Sequence, residues 1–330
     1  MKTTALFMTG IDRVELIDAN VPDPGPDDVV VESLHTAISP GTELRCLAGR
    51  QHGGTFPFIP GYSMVGRVIA RGARAAIAEG TNVFCLGTER ADRPLLWGAH
   101  IGHAVRPAAS VFPLPADADP HDFALAKVAA IAYRGVRVAQ TRPHEEVAVV
   151  GLGLIGQLAA RLHRLAGARV VAADLDASRV AVARSAGVDA HVPASGLRET
   201  FARAQPHGAD VVVDSTGAGP VLQQTLQLAK PKPWDDTVTE PTRLVIQGSY
   251  ADDVVFDYHE AFCRELTVFL PRDHQPRDLV SVLSFIADGR LRTRDLVSEI
   301  RPPREAPAVY AALRAAQPGL ITAVFDWSRS

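Results

Sequence analysis

Cysteine is scarce: Cys46, Cys85 and Cys263 are the only three in 330 residues. None stands at C-x-x-C spacing from another, which excludes a disulfide framework and a four-cysteine zinc site. A reducing cytoplasm is the compartment that such usage fits. An excess of charge of either sign is also lacking, with 34 basic against 37 acidic residues and a net charge of -3, so neither a nucleic-acid nor a membrane footprint is present. No uninterrupted apolar run reaches the roughly 18 residues that a spanning helix needs. Residues Met1 to Asp12 lack the charged stretch, apolar core and cleavage site of a secretory leader. Internal repeats are missing as well. These absences leave a cytoplasmic protein whose expected partner is a small-molecule substrate, without nucleic acid or membrane.

What is there begins with size: 330 residues, 47% hydrophobic and 22% charged, describe a globular chain too long for one comfortable core, so two domains are expected. Up to about residue 117, short extended runs such as Asp28–Glu32 and Val65–Ala70 are broken by Pro22, Pro24, Pro26, Pro40, Pro57 and Pro60. That pattern is β-rich and loop-rich. Further on, apolar β-branched runs at 147–151, 169–174, 209–214 and 243–247 alternate with helical stretches at 157–166 and 177–186, which implies a doubly wound parallel sheet. Pro231 to Pro241 reads as a surface loop, and the tail as two helices, Asp278–Asp288 and Arg304–Ala316, before an apolar strand, Leu320–Phe325.

The strongest motif is Gly151-Leu-Gly153-Leu154-Ile155-Gly156, placed between a strand and a helix. The first glycine permits the tight turn, the second lets backbone approach a pyrophosphate, and the third lets helix and strand pack closely. Backbone N–H groups at the helix start then hold the phosphates. The next strand ends on Asp174, 18 residues beyond Gly156, close to the spacing expected of the acid that binds an adenosine ribose. A carboxylate there repels a 2′-phosphate and favours NAD. Arg179, five residues on, can serve either a ribose or a phosphate, so NADP stays open.

The order of a β-rich part, a dinucleotide fold and a returning tail resembles the medium-chain dehydrogenase/reductase superfamily, and local motifs follow it along essentially the whole chain. Gly41-Thr42-Glu43-Leu44 resembles the family's Gly-Thr-Asp-Leu, and Pro60-Gly61-Tyr62-Ser63 its Pro-Gly-His-Glu. Gly66-Arg67-Val68, Ala130 to Val136, and Asp214-Ser215-Thr216-Gly217 match further stretches, the last being the strand end near the nicotinamide. The resemblance implies an α/β protein with a GroES-like β-rich catalytic domain over 1–117 and 276–330, and a Rossmann domain over 118–275. It implies NAD(P) chemistry on a hydroxyl or carbonyl group, with Ser215, Thr216, Gly248 and Arg45 beside the cofactor. It also implies a homodimer through Ala251 to Leu270, with Val254, Val255 and Phe256 supplying apolar surface. A narrower set, Ile38 to Glu43, Phe56 to Tyr62, Gly248 to Tyr250, Gln275 to Leu279 and Phe325 to Trp327, is similar to the bacteriochlorophyllide a dehydrogenase branch, which oxidises a hydroxyethyl side chain to acetyl.

Zinc enzymes of this superfamily hold a catalytic metal at three positions that this chain fills otherwise. The cysteine position carries Pro40 or Ser39, depending on the alignment; the histidine position carries Tyr62; the third, six residues before Tyr133, falls on Lys127. The lobe that holds structural zinc is reduced to Leu86–Trp97, without cysteine. No zinc is therefore expected, and some other group must handle the hydroxyl proton. Tyr62 and Lys127 are expected to converge on the substrate oxygen, the ammonium favouring phenolate, with Thr42 at the family's relay position. The alternatives are Tyr62 as a cleft wall with Lys127 a surface lysine, and Arg45 as a solvated loop residue. His35, His100, His103, His259, His274 and Asp273 are lesser candidates, and Cys46 reads as a buried small side chain. Two other functions compete: reduction of an activated C=C bond in a quinone or enone, and a non-catalytic NAD(P)-binding sensor.

Overall fold

A computed structural model describes residues 1–235, 240–250 and 253–329. Parts of the predicted loop Pro231–Pro241 and the first two residues of the predicted pairing region, Ala251 and Asp252, lie outside the described residues. The chain divides into two compact units, Met1–Lys127 with Leu283–Ser330, and Val128–Val282. Among the described residues no helix is long and apolar enough to cross a membrane.

In chain order the first unit contributes β1 (Lys2–Gly10), β2 (Arg13–Asn20), β3 (Asp28–Ala37), α1 (Pro40–Leu47), β4 (Met64–Arg71), β5 (Asn82–Cys85), β6 (His103–Pro107) and β7 (Phe112–Pro113). Helix α2 (Ala126–Val138) follows. The second unit runs β8 (Glu146–Val150), α3 (Leu154–Leu165), β9 (Arg169–Ala173), α4 (Ala177–Ser185), β10 (Asp189–His191), α5 (Leu197–Ala204), β11 (Val211–Asp214), α6 (Gly219–Leu226), β12 (Arg243–Ile246), α7 (Tyr258–Phe262) and β13 (Thr267–Phe269). The chain then passes through α8 (Pro276–Ala287) and ends with β14 (Val297–Arg301), α9 (Ala306–Arg314) and β15 (Thr322–Asp326).

The second unit is a Rossmann sheet, six parallel strands in the order β10-β9-β8-β11-β12-β13. Successive side chains of a strand point to opposite faces. Val147 and Val149 of β8 enter one apolar cluster, and Ala148 and Val150 the other. Both faces are thus buried, which is why this strand reads as an unbroken apolar run. The order reverses direction between β8 and β11, and in such sheets ligands bind outside the strand ends at that switch.

The first unit is a GroES-like, mainly antiparallel sheet ordered β14-β15-β3-β4-β5-β7, with β6 also on β3 and a separate β1-β2 hairpin. The last strand closes it: β15 pairs antiparallel with β3, matching Val324 to Ala37 and Phe325 to Thr36. Helix α1 starts on a proline at its first position, where the missing N–H costs nothing and the fixed φ suits the helix. It buries Glu43, Cys46 and Leu47, one helical stripe.

Candidate active site

Beyond β8 the chain turns at Gly151, whose φ of +88° suits glycine alone. A Cβ there would lie 2.9 Å from Thr216 Cγ2, and a Cβ on Gly156 would fall 1.8 Å from the Gly151 carbonyl oxygen. These two glycines let the turn fold against α3 and the end of β11. Gly153 differs: it is the N-cap of α3, and a Cβ there would meet nothing within 4 Å. The turn is therefore open on the side where Leu154, Ile155 and Gly156 present first-turn N–H groups, which an α-helix cannot satisfy internally.

Asp174 stands just past β9. Its Oδ2 accepts the Leu152 N–H at 2.6 Å and its Oδ1 accepts the Asp176 N–H at 2.8 Å. The acid is thereby tied to the glycine turn itself. Arg179, in the first turn of α4, keeps its guanidinium 3.9 Å from Asp174 and 3.7 Å from Asp176. The Ser215 hydroxyl is buried beside this turn without a hydrogen-bond partner among the described residues, and a Gly156 Cβ would come within 3.3 Å of its Cβ. Gly248 follows β12, where a Cβ would sit 2.3 Å from the Gly217 nitrogen. An open anion-binding turn, a tethered acid and an unpartnered buried hydroxyl suit a dinucleotide.

Asp214, buried at the end of β11, organises this edge. It accepts bonds from Thr216 N–H at 3.0 Å and from the Tyr250 hydroxyl at 2.7 Å. Burial, then the neighbouring Asp214 carboxylate, push the Tyr250 phenol up and keep it a donor. The Tyr250–Asp214 bond is not legible from sequence, because the two residues stand 36 positions apart.

In the first unit, Tyr62, Thr42 and Lys127 come together. The Tyr62 hydroxyl donates to Thr42 Oγ1 at 3.3 Å, and the Lys127 ammonium lies 5.8 Å from the centre of the Tyr62 ring. The cation meets the ring face, a cation–π arrangement. Tyr62 and Lys127 are both buried, at 7% and 5% exposure, so the surface-lysine alternative is set aside. Trp97 meets the Tyr62 ring edge-on at 5.1 Å, and Ser63 donates to the Ala124 carbonyl at 2.6 Å, fixing the turn on the segment before α2. Phenol, threonine hydroxyl and ammonium are not the imidazole, thiolate or carboxylate that zinc takes, and a catalytic zinc does not fit this donor set.

The other candidates have bonding or ring partners of their own among the described residues. Arg45 donates to Gln51 Oε1 at 2.8 Å. His100 contacts Glu43 and Thr36; His35 meets His121 edge-on at 5.1 Å; His103 bonds Thr3 at 3.0 Å. His259 lies 3.5 Å from the Cys263 sulfur, and His274 is 3.0 Å from Asp273. Burial, then the Glu43 charge, push the Cys46 thiol up to about 12, which removes it as a nucleophile.

The profile described as zinc-binding dehydrogenase matches residues 155–233. Over 99% of both chains, the sequence is 28% identical to 2-desacetyl-2-hydroxyethyl bacteriochlorophyllide A dehydrogenase of Cereibacter sphaeroides. In fold it is similar to 2R,3R-butanediol dehydrogenase of Bacillus subtilis, with TM-score 0.84 and 19% identity over 98% of this chain and 99% of that one. It is similar also to a Sinorhizobium meliloti 1021 protein solved with NADP bound, with TM-score 0.83 and 22% identity over 99% of both.

Proposed function

We propose that this chain, which is similar along its length to a zinc-type alcohol dehydrogenase-like protein of the medium-chain dehydrogenase/reductase superfamily, is a zinc-independent, NAD-preferring dehydrogenase of a hydroxyl or carbonyl group. The observation that supports the reading is the grouping of buried Tyr62 and Lys127 with the half-buried Thr42 hydroxyl, a set suited to proton handling. The bound nicotinamide supplies the hydride acceptor or donor. Gly151, Gly153, Leu154, Ile155 and Gly156 would hold the pyrophosphate, and Asp174 with Arg179 would hold the adenosine ribose. Ser215, Thr216 and Gly248 would line the cofactor's path.

In the oxidative direction the substrate loses hydride from carbon and a proton from its hydroxyl. Tyr62, as a phenolate favoured by the Lys127 charge, takes that proton and hands it to Thr42, which releases its own hydroxyl proton onward and so restores the phenolate. In reduction Tyr62 returns the proton to the new alkoxide. A complete oxidation turns the alcohol and the oxidised cofactor into the carbonyl compound, the reduced cofactor and one proton released through the relay, with the enzyme regenerated. The experiment is Tyr62→Phe assayed across alcohols, ketones and enones with NADH binding measured in parallel. Turnover of alcohols and ketones should fall by about 10²–10⁴ with nucleotide affinity kept, the range for loss of a general acid–base. Turnover unchanged in this variant refutes the proton role.

We also propose a homodimer. β13 is an edge strand, and Val255 and Phe256 before it are 68% and 36% exposed, so a second copy would satisfy the edge and cover apolar surface.

A further inference from the structure

Behind the Tyr62–Thr42 pair lies a buried polar chain that the proposed chemistry does not use. Glu43, the neighbour of Thr42 on α1, is 0% exposed, as is His100. Glu43 Oε1 accepts the Ser39 N–H at 2.8 Å, while Oε2 meets His100 Nε2 at 3.0 Å and accepts the Tyr310 hydroxyl. The other His100 nitrogen, Nδ1, lies 2.7 Å from Thr36 Oγ1, which also accepts the Trp327 indole N–H at 2.9 Å. With a carboxylate oxygen at 3.0 Å, Nε2 must carry the hydrogen and donate it.

His100 is fastened equally to the turn that bears Tyr62. Its N–H donates to the Pro60 carbonyl at 3.0 Å, and Ala99 N–H donates to the Gly61 carbonyl at 2.9 Å. The imidazole fills the space beside Gly61, where a Cβ would fall 2.5 Å from His100 Cδ2. One ring therefore clamps the Tyr62 turn on one side and, through Glu43, the helix that carries Thr42 on the other. A buried polar contact of this kind is no efficient source of stability, since apolar replacements of equal volume often serve as well. Its use is geometric.

We infer that His100 and Glu43 are positioning residues that set the distance between the Tyr62 and Thr42 hydroxyls. The inference rests on the proton-handling reading above. A 1 Å misplacement can cost about 10²-fold in rate, so losing the clamp should lower kcat more than it changes KM.

The test uses the full chain carrying ¹³Cζ-labelled tyrosine, with the Tyr62 signal assigned by Tyr62→Phe. His100→Leu should move the Tyr62 signal and lower kcat by about tenfold or more, with NADH affinity retained. His100→Gln, whose amide can donate to Glu43 as Nε2 does, should restore most of both, which a space-filling role would not require. If His100→Leu fails to fold, Glu43→Gln against His100→Gln decides by the same two readouts. A Tyr62 signal and kcat that stay unmoved in the folded clamp variants overturn the inference. A Tyr62 signal that moves while kcat does not would keep the clamp and discard the proton-handling reading instead.

Discussion

His163 should make this protein sensitive to mild acid. It lies on α3 with no exposure, its Nδ1 2.9 Å from Thr141 Oγ1 and its Nε2 without a hydrogen-bond partner among the described residues. Burial first, and the Arg243 charge second, push it down to about 3 from 6.5. The folded state thus keeps the ring neutral while the unfolded chain protonates it below pH 6.5. Sign follows: the unfolded state binds the extra proton, so the penalty is nil above pH 6.5, grows as pH falls, and levels off near pH 3. Each pH unit costs about 1.4 kcal/mol, which makes roughly 2 kcal/mol at pH 5. Urea unfolding of wild type and His163→Leu at pH 7 and pH 5, followed by circular dichroism, isolates this group from His35, His103 and His121, which burial also lowers. The variant should lose about 2 kcal/mol less than wild type between the two conditions. Equal losses, or an imidazole NMR signal of His163 that titrates near 6.5, would refute the argument.

The glycines of the nucleotide turn make a paired prediction. Gly156→Ala drives a methyl into the Gly151 carbonyl and should lower stability by about 1–3 kcal/mol, whereas Gly153→Ala, open to space, should keep the melting temperature and weaken NADH binding alone; fluorescence titration and thermal scans separate the two. Asp174→Ser removes a charge that repels a 2′-phosphate by a few kcal/mol at about 4 Å, so the kcat/KM ratio of NADH to NADPH should fall about tenfold or more; a constant ratio would show that Asp174 does not select. Val255→Asp should convert a dimer to a monomer in light scattering, and a monomeric wild type would remove the pairing proposal.

The nucleotide half was legible because its signals are local. Val147 to Val150 are buried on both faces, and the glycines answer to contacts within one turn or with the adjacent strand end. The grouping of Tyr62, Thr42 and Lys127 was legible only in part. Tyr62 and Lys127 could be paired by their places in a family pattern, but the ammonium lies over the ring, a geometry that spacing does not encode. α1 escaped because eight residues carry too little periodicity, although Pro40 marks its start. Glu43 and His100 stand 57 residues apart with no shared periodicity, so their pairing appears only once β3, α1 and the Tyr62 turn are packed.

Strand β15 has a consequence for synthesis. It fills the place beside β3, with Phe325 fully buried and the Thr322 hydroxyl bonded to Ile38, 284 residues earlier. On the ribosome the Rossmann unit, whose strands all lie within 146–269, can close while β3 still lacks this neighbour. The unit bearing Tyr62 is begun first and finished last, and its open β3 edge is what a nascent chain must keep from other strands in the meantime.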